Sequence, residues 1–140
     1  MVQIAELYSS LQGEGRLAGT PSVFVRTSGC NLRCTWCDTP FTSWKPTGTN
    51  RTVGELVEEI LSHRLKHVVI TGGEPLLASD INVLCNILQH EDQHITIETA
   101  ATVIPDKGLP TANLMSLSPK LRSSTPNSET GWEQRHEKRR

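Results

Sequence analysis

Ser22-Val23-Phe24-Val25-Arg26-Thr27-Ser28-Gly29-Cys30-Asn31-Leu32-Arg33-Cys34-Thr35-Trp36-Cys37-Asp38-Thr39 is the run on which the reading of the whole chain turns. Its first six residues alternate and are rich in β-branched side chains, which predicts a strand. The strand leads directly into a loop holding three of the chain's four cysteines at spacing C-x3-C-x2-C. The C-terminal end of a strand is where (β/α) barrels and open α/β sheets place their sites.

Three thiolates on one short loop can hold three corners of a metal centre, and cysteine sulfur is the characteristic ligand of iron-sulfur clusters. A fourth corner stays open. Structural zinc asks for four ligands in recognisable pairs, such as C-x2-C followed by a second C-x2-C or H-x3-H. The later candidates His63, His67 and Cys85 form no such pair, so the spacing favours [4Fe-4S] with one open iron and leaves zinc as the alternative. A disulfide framework fits less well, because three clustered thiols leave one odd and no secretory signal is read before them. Cys85 reads as a small buried apolar residue.

With 140 residues, 36% of them hydrophobic and only 4% aromatic, the chain can build one modest core without surplus. The net charge of -1 includes a mixed basic and acidic run from Trp132 to Arg140. Neither a nucleic-acid nor a membrane surface is expected from such a mixture. No apolar run approaches the roughly 20 residues that span a bilayer. Cysteines kept free for a reduced cluster suit the cytoplasm, which is the expected location.

Taken in order, residues 4–8 predict a short strand, and Ser9-Ser10-Leu11-Gln12-Gly13-Glu14-Gly15 a loop. Its Gly-x-Gly pair is a weak phosphate signal, read more simply as a turn. After Pro40 comes a polar connection through Asn50, then the capping box Thr52-Val53-Gly54-Glu55 opening a helix. Val53, Leu56, Val57, Ile60 and Leu61 form one apolar stripe on it. His63 and His67, at its end and in the following link, are expected to face solvent. Val68-Val69-Ile70-Thr71 reads as a strand buried on both faces, opening into Gly72-Gly73-Glu74-Pro75. Those glycines are expected to let backbone approach a ligand, and Pro75 to set the exit into the next helix. Residues 80–89 give that helix, with Ile81, Leu84, Cys85 and Leu88 on one face. Ile95-Thr96-Ile97-Glu98 and Leu114-Met115-Ser116-Leu117-Ser118 are further strands, the last ending in Ser118-Pro119-Lys120.

Repeated β-α-β units predict parallel strands with right-handed crossovers. The expected fold is α/β, a partial (β/α) barrel of mostly parallel strands, incomplete at the C-terminus. Residues 1–121 form its core, and residues 122–140 a polar, flexible C-terminal segment that cannot add a buried strand.

C-x3-C-x2-C with an aromatic residue just before its last cysteine resembles the cluster loop of the radical S-adenosylmethionine (SAM) superfamily. There the open iron is chelated by the amino and carboxylate groups of SAM, and one-electron reduction yields a 5'-deoxyadenosyl radical. Gly72-Gly73-Glu74 similarly resembles the segment that meets the SAM amino group. Within the superfamily, Gln12-Gly13-Glu14-Gly15, Phe24-Val25-Arg26, the cysteine loop through Asp38-Thr39, Thr71-Gly72-Gly73-Glu74-Pro75, Glu98-Thr99 and Ser118-Pro119-Lys120 together resemble the 7-carboxy-7-deazaguanine synthase family.

That resemblance implies a carbon-nitrogen lyase converting 6-carboxy-5,6,7,8-tetrahydropterin to 7-carboxy-7-deazaguanine with release of ammonia, on the queuosine (tRNA modification) and 7-deazapurine pathway. Hydrogen would be abstracted from C6 of the pterin and later returned. The implied cofactors are a [4Fe-4S] cluster, SAM and Mg2+; the implied partners are a reducing protein such as flavodoxin and a second copy, as a homodimer. Cys30, Cys34 and Cys37 would hold the cluster. Trp36, Cys37, Asp38, Gly73, Ser118, Pro119 and Lys120 would surround SAM. Leu11, Gln12, Gly13, Arg26 and Thr71 would line the pterin, with Arg26 meeting its anionic end. Thr39 would ligate Mg2+ through its hydroxyl. Without the family context, Thr39 would read as a cap or loop hydroxyl and Arg26 as a strand-edge surface charge.

Two other readings stand beside this one. A glycyl-radical-enzyme activase shares the small size and early cysteine loop but lacks the Gln12-Gly13-Glu14-Gly15 preface and the Asp38-Thr39 ending. A non-enzymatic zinc module would use the cysteines alone. Because the resembled family continues past Ser-Pro-Lys with further strand and helix, a C-terminally truncated product is expected, with weak or no pterin turnover and a tendency to associate.

Overall fold

The computed structural model describes all 140 residues. Strands β1 (Val2–Leu11), β2 (Pro21–Thr27), β3 (Thr49–Arg51), β4 (His67–Gly72), β5 (His94–Thr99) and β6 (Leu114–Leu117) form one open sheet in the order β3-β1-β2-β4-β5-β6. From β2 through β4 and β5 to β6 the strands are parallel, whereas β1 lies antiparallel to both β2 and β3. Helices α1 (Val53–Ser62) and α2 (Ile81–His90) make the crossovers between β2 and β4 and between β4 and β5, and α3 (Glu133–Arg139) closes the chain. The expected α/β architecture with a mostly parallel, unclosed sheet is therefore present.

The period-two alternation of the strands separates two layers. Val23 and Val25 of β2, Val68 and Ile70 of β4, and Ile95 and Ile97 of β5 share one buried cluster with the two helices. Leu56 and Ile60 cover it from α1, and Ile81, Leu84, Cys85 and Leu88 from α2. The intervening side chains, among them Phe24, Arg26, Thr71 and Glu98, face the opposite side of the sheet, where the cavity described below opens. At the start of α1 the capping box is complete: Thr52 Oγ1 accepts from Glu55 N–H at 3.3 Å, and Glu55 Oε2 accepts from Thr52 N–H at 2.8 Å.

Three stretches differ from expectation, each because of partners that lie outside the stretch itself. β1 extends through Ser9, Ser10 and Leu11, since β2 supplies ladder partners as far as Leu11 opposite Pro21. The polar connection contains β3, which pairs Arg51, Asn50 and Thr49 with Val2, Gln3 and Ile4. His67 opens β4 rather than facing solvent from a helix end, and its ring lies 4.7 Å from that of His94. Burial, with a smaller contribution from His94, holds the His67 imidazole below its ordinary pKa. His63 is the C-cap of α1, as expected.

Residues 122–140 add no strand, in keeping with their polarity. They are nonetheless folded onto the cysteine loop, with α3 carrying a completely buried His136. Several hydrogen bonds join them to that loop, from Arg33 N–H to His136 Nδ1, Thr35 N–H to Ser124 O and Trp36 Nε1 to Ser123 O, a pairing that composition cannot reveal. No helix is long and apolar enough to cross a membrane.

Candidate active site

Beyond the C-terminal ends of the parallel strands lies a cavity of about 460 Å3, a size suited to small-molecule ligands. Cys30, Cys34 and Cys37 all border it, and all four cysteines of the chain are free thiols. The amide of Leu32 donates to Cys30 Sγ at 3.4 Å, and Cys37 Sγ lies 3.2 Å from Ser43 Oγ. Burial pushes the Cys30 thiol up to about 11 and raises that of Cys34 as well. A cation must therefore displace protons from the sulfurs as it binds. Nowhere are three His, Cys, Asp or Glu groups already drawn to ligating distance of one point, so gathering these thiols around iron takes side-chain rotation within the loop. The donor set fits a cluster: it is all sulfur, and a cavity adjoins it where a fourth ligand would stand. Cys85 lies instead in the helix-side core, where burial pushes its thiol up to about 12.

The Gly72-Gly73-Glu74 turn is bound tightly to this loop. Gly73 N–H donates to Thr27 O at 3.2 Å, Glu74 N–H to Gly29 O at 2.9 Å, and Gly29 N–H to Thr42 O at 2.8 Å. A Cβ on Gly72 would overlap the Thr27 backbone, and one on Gly73 would overlap Gly29 O. The glycines thus admit the chain's own backbone, where the sequence suggested a ligand's approach. Gly73 also borders the cavity. The Glu74 side chain is 1% exposed and turned inward: Oε1 accepts from Thr99 Oγ1 at 2.6 Å and Leu76 N–H at 3.1 Å, and Oε2 from Ala100 N–H at 3.0 Å. Those bonds tie the end of β4 to the end of β5. Glu74→Ala would orphan three donors at once and should destabilise the fold by about 3 kcal/mol, readable as a lowered denaturant midpoint with unchanged slope.

Every residue that the resemblance assigned to a site borders the cavity except Pro119. Arg26 is on an interior strand, not at an edge, which corrects its reading as an edge charge. Its Nε donates to Glu6 Oε2 at 2.9 Å and its Nη2 to Tyr8 Oη at 3.1 Å. Gln12 is buried, and its Nε2 donates to Glu98 Oε1 at 2.8 Å. On the opposite rim, Lys120 Nζ donates to Ser118 Oγ at 2.9 Å and sits 5.8 Å from the centre of the Trp36 ring. Thr39 Oγ1 lies 3.3 Å from Asp38 Oδ1. Reasoning from sequence gave no role to Glu98, Tyr8 or Ser116, which also border the cavity; their period-two positions on β5, β1 and β6 were the available signal.

Residues 24–110 match the Radical SAM superfamily. The chain belongs to the radical SAM superfamily. Membership implies a [4Fe-4S] cluster and SAM as cofactors, in agreement with the thiol loop. Among curated proteins, this radical SAM chain is 54% identical to 7-carboxy-7-deazaguanine synthase of Rhodopirellula baltica, over 90% of the chain and 48% of that protein. It is 51% identical to 7-carboxy-7-deazaguanine synthase of Halobacterium salinarum, over 98% of the chain and 55% of that protein. The chain spans about half the length of these relatives. Among solved structures, QueE from Escherichia coli matches with a TM-score of 0.71 and 30% identity, over 86% of this chain and 60% of that one.

Proposed function

We propose that this radical SAM chain carries the active-site half of a 7-carboxy-7-deazaguanine synthase, acting on 6-carboxy-5,6,7,8-tetrahydropterin with release of ammonia. The observation that carries the proposal is the convergence of separate sequence segments on one cavity: residues of β1 and β2, the cysteine loop, the Gly72-Gly73 turn and the Ser118 to Lys120 segment. Identity above 50% to two synthases adds to it.

In this reading Cys30, Cys34 and Cys37 hold the cluster. Cluster and SAM, when bound, supply the radical chemistry that the protein itself lacks. Trp36, Cys37, Asp38, Gly73, Ser118 and Lys120 bind SAM. Pro119, which does not border the cavity, acts by shaping the segment between Ser118 and Lys120. Leu11, Gln12, Gly13, Arg26 and Thr71 hold the pterin. Glu6 and Tyr8 fix the Arg26 guanidinium from one side, leaving its remaining donors for an anionic substrate group. The bond from Gln12 Nε2 occupies one oxygen of Glu98 and orients the carboxylate.

Mg2+ is assigned to Thr39, because its hydroxyl beside the Asp38 carboxylate makes an all-oxygen corner suited to a hard cation. Thr39→Val keeps the shape and removes the hydroxyl. Turnover should fall about tenfold or more and lose its response to Mg2+, with the cluster spectrum unchanged. A parental Mg2+ response in this variant would remove Thr39 from the metal site.

A reducing protein such as flavodoxin, a homodimeric assembly and a cytoplasmic location complete the proposal, the last supported by four free thiols. The deciding experiment is an anaerobic assay of the reconstituted chain with SAM, dithionite, Mg2+ and the carboxytetrahydropterin. Formation of 7-carboxy-7-deazaguanine supports the reading. SAM cleavage that never responds to the pterin, in this chain and in a longer form alike, would refute it.

A further inference from the structure

His136 is the one histidine of the chain with no exposed surface, although α3 and its surroundings are otherwise polar. Seven residues of helix are marginal on their own, so its position is set by what the ring touches. Nδ1 accepts the backbone N–H of Arg33 at 3.1 Å, and Nε2 lies 2.9 Å from Oγ of Ser124, which is also fully buried. An acceptor Nδ1 must be bare, which assigns the ring proton to Nε2 and makes Ser124 Oγ its acceptor. Ser124 Oγ in turn donates to Leu121 O at 2.7 Å. The ring is thereby a rigid strut between the cysteine loop and residues 121–124.

Around the strut, the same two segments are joined repeatedly. Thr35 N–H donates to Ser124 O at 3.0 Å, Thr35 Oγ1 to Thr125 O at 3.1 Å, and Trp36 Nε1 to Ser123 O at 3.3 Å. Arg33 stacks over Trp132 at 4.0 Å, while its Nη1 donates to Cys30 O and Leu32 O, both at 2.7 Å. Arg33 stands between Cys30 and Cys34, so a bond to its amide fixes the backbone that spaces those two sulfurs.

We infer that His136 is a positioning residue for the cluster loop, holding the Arg33 amide through Nδ1 so that the backbone carrying the three thiols stays fixed while they gather around iron. This rests on superfamily membership and not on the pterin, and its test contains no pterin. The failure of the synthase reading therefore leaves it standing.

The two carboxamide residues separate this role from simple filling of the core. An Asn at position 136 can present Oδ1 where Nδ1 lies, whereas Gln places its oxygen nearer to Nε2. The readouts are hydrogen exchange at the Arg33 amide in the iron-free chain, and iron and sulfide bound after anaerobic reconstitution, with thermal melting to monitor the fold. His136→Gln should speed Arg33 exchange about tenfold and lower bound iron several-fold, while His136→Asn stays within about twofold of the parent on both. Equal behaviour of the two folded variants, or unchanged Arg33 exchange in His136→Gln, overturns the assignment. If both variants fail to fold, Ser124→Ala decides, since it leaves the ring in place but frees its far end. About threefold faster exchange at Arg33 supports the strut, and unchanged exchange overturns it.

Discussion

Replacing Cys30, Cys34 or Cys37 with Ala, one at a time, abolishes cluster assembly and with it reductive cleavage of SAM. Each thiol borders the same cavity, and no other cysteine is near enough to substitute, because Cys85 is enclosed in the helix-side core. A cluster held by three sulfurs has none to spare. Iron content and the visible absorption of the reconstituted protein report the loss directly, and 5'-deoxyadenosine formation reports its consequence. Cys85→Ala is the internal control: it removes a buried sulfur, costs on the order of 1 kcal/mol of stability, and leaves cluster and SAM cleavage intact. SAM cleavage retained by any of the three loop variants would break the assignment of ligands.

Gly73→Ala has the next largest expected effect, and it acts through packing. The added Cβ would overlap Gly29 O and come within 2.8 Å of Thr42 O, both backbone atoms with no rotamer by which to withdraw. To make room, the turn after β4 and the cysteine loop must part. Parting them breaks the bonds from Gly73 N–H to Thr27 O and from Glu74 N–H to Gly29 O. We expect a loss of at least about 3 kcal/mol, a Tm lower by roughly 10 °C, and little cluster uptake in whatever remains folded. Gly54→Ala in α1 is the contrast, since its Cβ meets nothing within 4 Å. There the helix should gain up to about 1 kcal/mol. Similar melting curves for the two variants would show that the close approach at Gly73 is not needed.

These two sites differ in how openly the sequence displays them. The cysteine ligands sit on one contiguous loop, so their spacing can be read before any folding is considered. Gly73 was visible as a glycine in a motif, but the reason for it was not: the backbone it admits belongs to Gly29 and Thr42, 44 and 31 positions earlier. Arg26 shows the same limit. Its strand was legible from alternation, yet its place on an interior strand, between Glu6 and Tyr8, depends on β1 pairing antiparallel to β2. The segment after residue 121 has almost no apolar side chains, a composition that predicts a flexible tail. In the structure its order comes from hydrogen bonds to the cysteine loop and from the stacking of Arg33 on Trp132, which leave no periodic trace.

Short-range regularity made several elements legible from residue order alone. The apolar stripe and capping box of α1, the doubly buried run of β4, the alternation of β2 and the C-x3-C-x2-C loop each follow from spacings of a few residues. The cysteine loop and the Gly72-Gly73-Glu74 turn carry the resemblance to radical SAM proteins, and the match of residues 24–110 establishes the membership. Which distant polar groups meet emerges on folding: Gln12 with Glu98, Glu74 with Thr99 and Ala100, and His136 with Arg33 and Ser124. Burying a polar group requires a partner but does not specify where in the chain that partner lies. Hydrophobic periodicity commits a residue to a face, and the topology of the sheet then selects the partner.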